Sequence, residues 1–241
     1  MKFEQAYYTW GENQLSRYKR GLGICAASNL KDDFLDKCLR LGSVFQSEHT
    51  NKTAEFTLYS EEFRAFVGVG ISPRAEGGDK RLNKLCHFFI PVESGKEQEP
   101  EEYYLPYPYD REIEDGAEVF QIEIPGTEYD YREILQKYGL NRKKLGGLLW
   151  KTYPYAFGEK DSLIFVIDRE KHQIEEDAQI AREITWLLSV LVPRPEGRPN
   201  LYRNRLSYGV YTTDNVSAVR FVFTDRQQLG EDRYYLDENY K

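Results

Sequence analysis

A chain of 241 residues that is 40% hydrophobic and carries 19 Tyr, 13 Phe and 3 Trp has enough aromatic surface to bury a core, which excludes a disordered chain. Its net charge of −7 argues against nucleic acid and anionic membrane as partners, since both attract a surplus of Lys and Arg; a local basic patch at Arg194, Arg198, Arg203 and Arg205 stays compatible with that balance. Cys25, Cys38 and Cys86 are too widely spaced for a disulfide framework or a CxxC pair, no apolar stretch approaches bilayer length, and the first residues lack a signal-peptide core, so a cytoplasmic protein is expected.

In chain order, Phe3 to Trp10 reads as an opening strand, rich in aromatic side chains and closed by Gly11. A turn is expected at Gly21-Leu22-Gly23. Asp32 to Leu41 then spaces Phe34, Leu35, Cys38, Leu39 and Leu41 as one helix, with Gly42 as its stop. Glu55 to Tyr59, Phe63 to Ile71 and Leu85 to Val92 read as strands that pair antiparallel. The acidic run Glu97 to Glu102 predicts a solvated loop, continued as extended chain by Leu105-Pro106-Tyr107-Pro108-Tyr109.

The second half mixes periods. A strand is predicted near Val119 to Ile124, helices over Tyr129 to Tyr138 and over Asn141 to about Tyr153, where Pro154 ends the second, and a buried strand at Ser162 to Ile167. The long amphipathic helix lies at about 175–192, with Ala178, Ala181, Ile184, Thr185, Leu188 and Leu191 in one stripe and Pro193 as its stop. Strands at Leu206 to Thr212 and Ala218 to Thr224 flank the turn residues Asp214 and Asn215, and a polar, Tyr-rich end follows. The fold class is therefore α+β, read as a single domain over 1–241; if the chain divides, the boundary falls near 93–116.

Few residues carry obvious chemistry. Gly21, Gly23 and Ala26 fit a loose GxGxxA pattern, but the polar segment before it is no buried strand, so a plain turn is the better reading than a nucleotide site. His87, between Cys86 and Phe88 with Arg81 six residues before it, is the one titratable group with an apolar setting that suits acid, base or ligand work, against the commoner reading of a packed histidine with both nitrogens satisfied. Cys25 paired with His87 is a weaker nucleophile candidate, because Cys25-Ala26-Ala27 reads as packing. No histidine stands in an HxH, HxxxH or HExxH arrangement, so neither a metal nor a cofactor is expected. The Tyr surplus, including Tyr7, Tyr8, Tyr103, Tyr104, Tyr107 and Tyr109, fits a binding surface and a core rim equally.

Three segments together resemble one family. Phe3-Glu4-Gln5-Ala6-Tyr7-Tyr8-Thr9-Trp10 with Gly21 to Ser28, then Arg81 to Val92 with its Arg81 and His87-Phe88-Phe89, then Leu188 to Pro193 with Arg205 to Thr212, are similar to the N-terminal domain of bacterial GTPase-associated proteins from predicted conflict systems. The likeness runs through most of the chain in short motifs, but 147–198 carries little of it and the loop at 193–200 is longer than the family pattern. It implies an interaction or adaptor module beside a GTPase or effector, part of a longer protein, and it implies no established catalytic residues. Tyr7, Arg81, His87 and Arg205 are the binding-centre residues expected on that reading. The alternative is a hydrolase or nucleotide-processing domain in which His87 is acid or base and Arg81 or Arg205 holds an anion.

Overall fold

Alternation along the first strand sends Phe3, Gln5 and Tyr7 to one side and Ala6 and Tyr8 to the other, and the first sheet is built around that division. The structure is a computed structural model that describes residues 1–15, 20–45, 53–74, 83–93, 100–114, 116–157, 162–167, 174–192, 207–210, 219–224 and 233–236. The fold is α+β. The chain forms two compact units, the first from Met1–Gln98 with Tyr107–Gly126, the second from Glu99–Pro106 with Thr127–Lys241.

In the first unit, β1 (Lys2–Gly11), β2 (Gly21–Ala27), β3 (Ala54–Ser60), β4 (Ala65–Arg74) and β5 (Asn83–Pro91) pair antiparallel in the order β3-β4-β5-β1-β2. The short β6 (Ile122–Glu123) adds to the start of β1. The turn expected at Gly21-Leu22-Gly23 is instead the start of β2: Gly21, at φ 128°, pairs with Gly11, and Ile24, Cys25 and Ala26 are fully buried. Small apolar residues read as punctuation in sequence, yet here they form a strand that fits closely against β1.

Helix α1 (Asp32–Val44) has Asp32 and Asp33 in its first turn, where carboxylates suit the helix dipole, and buries Phe34, Leu35, Cys38, Leu41 and Gly42. Gly42 does not stop it. A Cβ at that position would lie 2.5 Å from the Tyr8 ring, so the glycine lets α1 sit close on β1. Phe45, just after the helix, packs on Phe56 of β3 and Phe88 of β5.

The opposite face of this sheet, bearing Phe3, Tyr7, His87 and Phe89, is crossed by residues 107–114 and 116–124. This strap has almost no regular structure. Tyr107 lies edge-on to Phe3 at 5.5 Å and stacks on Phe89 at 5.3 Å, while Tyr109 meets the same Phe89 at 5.5 Å. Ile113, Ala117 and Val119 pack on Tyr7, Ala26 and Leu85, and the Met1 amino group donates to the Ile124 carbonyl at 2.7 Å.

The second unit places α2 (Tyr131–Lys137), α3 (Arg142–Ala156) and α4 (Ile174–Leu191) with four short strands, β7 (Leu163–Val166), β8 (Tyr208–Val210), β9 (Phe221–Thr224) and β10 (Arg233–Tyr235). Asp130 and Asn141 cap α2 and α3 by accepting two backbone N–H bonds each. The strands pair parallel in the order β10-β7-β9-β8. The two strands expected on either side of Asp214 and Asn215 run parallel as β8 and β9; 211–218 lie outside the described residues. Nearly continuous burial along β7, β8 and β9 agrees with parallel strands covered on both faces.

Helix α4 lies where periodicity puts it, and its burial extends past one stripe to include Asp177 and Glu183. Pro154 does not end α3, which runs two residues further, because a proline in the last turn forfeits only the bond to the Trp150 carbonyl. Among the described residues no helix is long and apolar enough to cross a membrane.

Candidate functional site

Two of the four residues singled out in the sequence come together. Tyr7 and His87 face each other across β1 and β5, with stacked rings 4.1 Å apart. Arg81 and Arg205 lie outside the described residues. His87 is 0% exposed, and both of its nitrogens are occupied. Nδ1 accepts the Asp110 backbone N–H at 3.0 Å, and Nε2 lies 3.0 Å from Gln5 Oε1. Gln5 fixes the roles: its Nε2 donates to the Phe120 carbonyl at 2.7 Å, leaving its oxygen to accept the His87 Nε2–H.

This is a neutral imidazole, and burial pushes its pKa down to about 3. The Tyr7 hydroxyl donates to Asp110 Oδ2 at 2.5 Å; burial and then the Asp110 carboxylate push its pKa up. An acid or base needs a nitrogen that faces a cleft, and His87 instead ties the strap to the sheet through Asp110 and, by way of Gln5, Phe120. Asp110 and Gln5 were not legible as its partners, since 23 and 82 residues of sequence separate them from it and no motif links them.

The cysteines are free thiols and all buried. Burial raises the pKa of Cys86 to about 12, and Cys25 Sγ points to the Tyr7 carbonyl at 3.6 Å, so neither has the setting of a reactive thiolate. Among the described residues no group of three or more His, Cys, Asp or Glu could hold a metal ion. Of the tyrosines named from the sequence, Tyr7, Tyr8, Tyr103, Tyr104 and Tyr107 are buried and belong to the core.

The second unit has a cavity of about 590 Å³ beside α2 and α4, lined by residues that include Tyr129, Asp130, Lys137, Arg182 and Glu183. Lys137 and Glu183 pair within it. Buried Glu183 accepts both from Lys137 Nζ at 2.9 Å, from the Tyr138 hydroxyl at 2.6 Å and from Gln179 Nε2 at 2.8 Å.

Helix α3 presents a different surface. It buries Leu148, Thr152 and Tyr155, and at about 3.6 residues per turn the opposite side carries Arg142, Lys143, Gly146, Trp150, Tyr153 and, at the C-cap, Phe157. Trp150 is 85% exposed and Tyr153 46%. Tyr153 stacks on Phe157 at 4.1 Å, and Phe157 is itself partly buried against the core of the unit. One exposed apolar residue is ordinary, but two large rings exposed on one helix face, the second backed by the partly buried Phe157, are the pattern of a docking surface.

The glycines of this helix add to the contrast. A Cβ at Gly146 or Gly147 would meet nothing within 4 Å, so neither glycine serves internal packing. Gly146→Ala and Gly147→Ala are each expected to stabilise the protein by about 1 kcal/mol, seen as a higher urea midpoint at unchanged slope. A lower midpoint in either variant would show that the helix needs its glycine for its own fold.

Comparison with known protein families, with curated proteins and with solved structures gives no match.

Proposed function

We propose that this protein is an interaction module whose partner docks on the exposed face of α3. The observation that carries the reading is the pair Trp150 and Tyr153, large rings left in water by the fold on one face of a helix, with partly buried Phe157 stacked behind Tyr153 and two glycines with no internal role beside them. Trp and Tyr are the residue types that most often dominate binding energy at protein interfaces. The resemblance of the three sequence segments supports a bacterial assembly in which the partner is a GTPase or effector. Three buried free thiols suit a reducing cytoplasm.

Affinity capture from the native cells tests this, comparing the wild type with Trp150→Ala/Tyr153→Ala and with Glu128→Ala/Glu133→Ala on another surface of the same unit. A partner recovered in stoichiometric amount should be lost from the first variant and kept by the second. The same proteins captured at the same yield by all three would remove α3 from the interface and the reading with it.

A further inference from the structure

We propose that the α3 face recognises an acidic, apolar-bearing segment of its partner protein, laid along the helix with carboxylates over Arg142 and Lys143 and apolar side chains on Trp150, Tyr153 and Phe157. This rests on the interaction-module reading and adds the chemistry of what is recognised.

Charge complementarity carries the assignment. Residues 142–156 contain Arg142, Lys143, Lys144 and Lys151 and no carboxylate, in a chain whose net charge is −7. Helices α1 and α2 place acids in the first turn, Asp32 and Asp33 in α1 and Glu133 in α2, as the helix dipole favours; α3 has none there. Arg142 and Lys143 are exposed and form no ion pair among the described residues. The face is thus cationic at one end and aromatic at the other, and the complementary ligand is anionic at one end and apolar at the other. Gly146 and Gly147 lie between the two, where the missing side chains let a second backbone come close.

Other occupants fit less well. A polyphosphate has no apolar part for Trp150 and Tyr153, and with only two cations on this face little counterion release is available to drive binding of it or of an anionic bilayer. A second copy in antiparallel pairing would set Arg142 and Lys143 beside Phe157 of the other helix, where neither helix supplies a carboxylate.

The test uses the full chain and two fluorescein-labelled amphipathic peptides with identical leucine spacing, one with glutamate and one with lysine at every polar position. Fluorescence anisotropy should show binding of the glutamate peptide, weakened by salt, and none of the lysine peptide. Trp150→Ala should lower the affinity about thirtyfold or more. Arg142→Glu/Lys143→Glu should transfer the preference to the lysine peptide, a reversal that loss of structure cannot produce, and circular dichroism would confirm that both variants fold.

Equal binding of both peptides, or of neither, overturns the proposal. So does binding of phosphatidylglycerol vesicles or oligo-dT in place of the glutamate peptide, or self-association in sedimentation velocity that Trp150→Ala abolishes. If capture depends on α3 and the glutamate peptide is not preferred, the partner chemistry fails and the interaction module stands. If capture does not depend on α3, the module reading is what fails.

Discussion

Gly68→Ala is expected to destabilise the protein by about 2–3 kcal/mol, the cost of forcing extra volume into a packed contact. On β4, Gly68 and Gly70 pair with Phe89 and His87 of β5, and Tyr107 and Tyr109 of the strap lie against the two glycines. A Cβ at Gly68 would sit 2.6 Å from Tyr107 Cε2, and one at Gly70 would sit 2.4 Å from Tyr109 Cδ1. Tyr107 is 5% exposed and wedged against Phe3 and Phe89, so it has nowhere to go. Tyr109 is only half-buried, its hydroxyl held by the Phe56 carbonyl at 3.3 Å, and it can swing outward. Gly70→Ala should therefore cost less than Gly68→Ala despite the shorter contact.

Urea unfolding followed by far-UV and near-UV circular dichroism would measure both, the near-UV signal reporting the tyrosines of the strap. Midpoints within experimental error of the wild type would show that the strap is not held on the sheet as described. The comparison with Gly146→Ala is informative, since the same chemical change at an open helix position should have the opposite sign. What separates the two is whether a ring already fills the space that the new methyl would take.

The parts of this fold that could be read from sequence are those written in local periodicity. The antiparallel strands β1, β3, β4 and β5, the helix α1 and the long helix α4 appear where alternation or helical spacing put them, to within a few residues at their ends. What sequence obscured was decided by contacts far along the chain. Gly42 looks like a stop signal because a glycine usually is one, but here Tyr8, 34 positions earlier, needs its space. The direction of β8 against β9 depends on how the chain between them travels, and two turn residues do not determine that.

The strap was legible as extended chain at its start and as a strand near Val119 to Ile124, of which Ile122–Glu123 pairs as β6; its order comes from Phe3, Tyr7, His87 and Phe89 beneath it and not from any repeat of its own. The α3 face was hidden for a different reason. Leu148, Leu149, Trp150, Tyr153, Tyr155 and Phe157 make the helix apolar on nearly every side, so periodicity finds the helix and cannot say which side the core claims. Only packing shows that Leu148 and Tyr155 go in while Trp150 stays out. Histidine 87 shows the reverse: its apolar strand drew notice as a possible catalytic setting, and the same burial is what holds its ring neutral and closed.

That neutral ring should make the protein sensitive to acid well above the range in which carboxylates titrate. In the unfolded chain His87 takes up a proton near its ordinary pKa of 6.5, whereas in the folded chain burial holds the value at about 3. Between those two values the unfolded state binds more protons, so stability falls as pH drops below 6.5 and the loss stops growing only near 3. Each unit of pH in that window removes about 1.4 kcal/mol, giving about 2 kcal/mol by pH 5 relative to neutrality.

Protonation at Nδ1 would also expel the Asp110 backbone N–H, the bond that fastens the strap at this point, although the Asp110 carboxylate oxygen 3.7 Å away would partly compensate by attracting the new charge. Urea unfolding at intervals from about pH 7.5 to about pH 5, roughly the interval where histidine linkage dominates, should therefore give a steep slope in the wild type. His87→Gln, which keeps a polar side chain and cannot titrate, should be less stable at neutral pH, because one amide cannot reproduce both ring contacts, and its slope over the same interval should be flatter by about one proton. Equal slopes in the two proteins would mean that His87 is protonated in the folded state at ordinary acidity, and the closed, neutral ring would have to be given up.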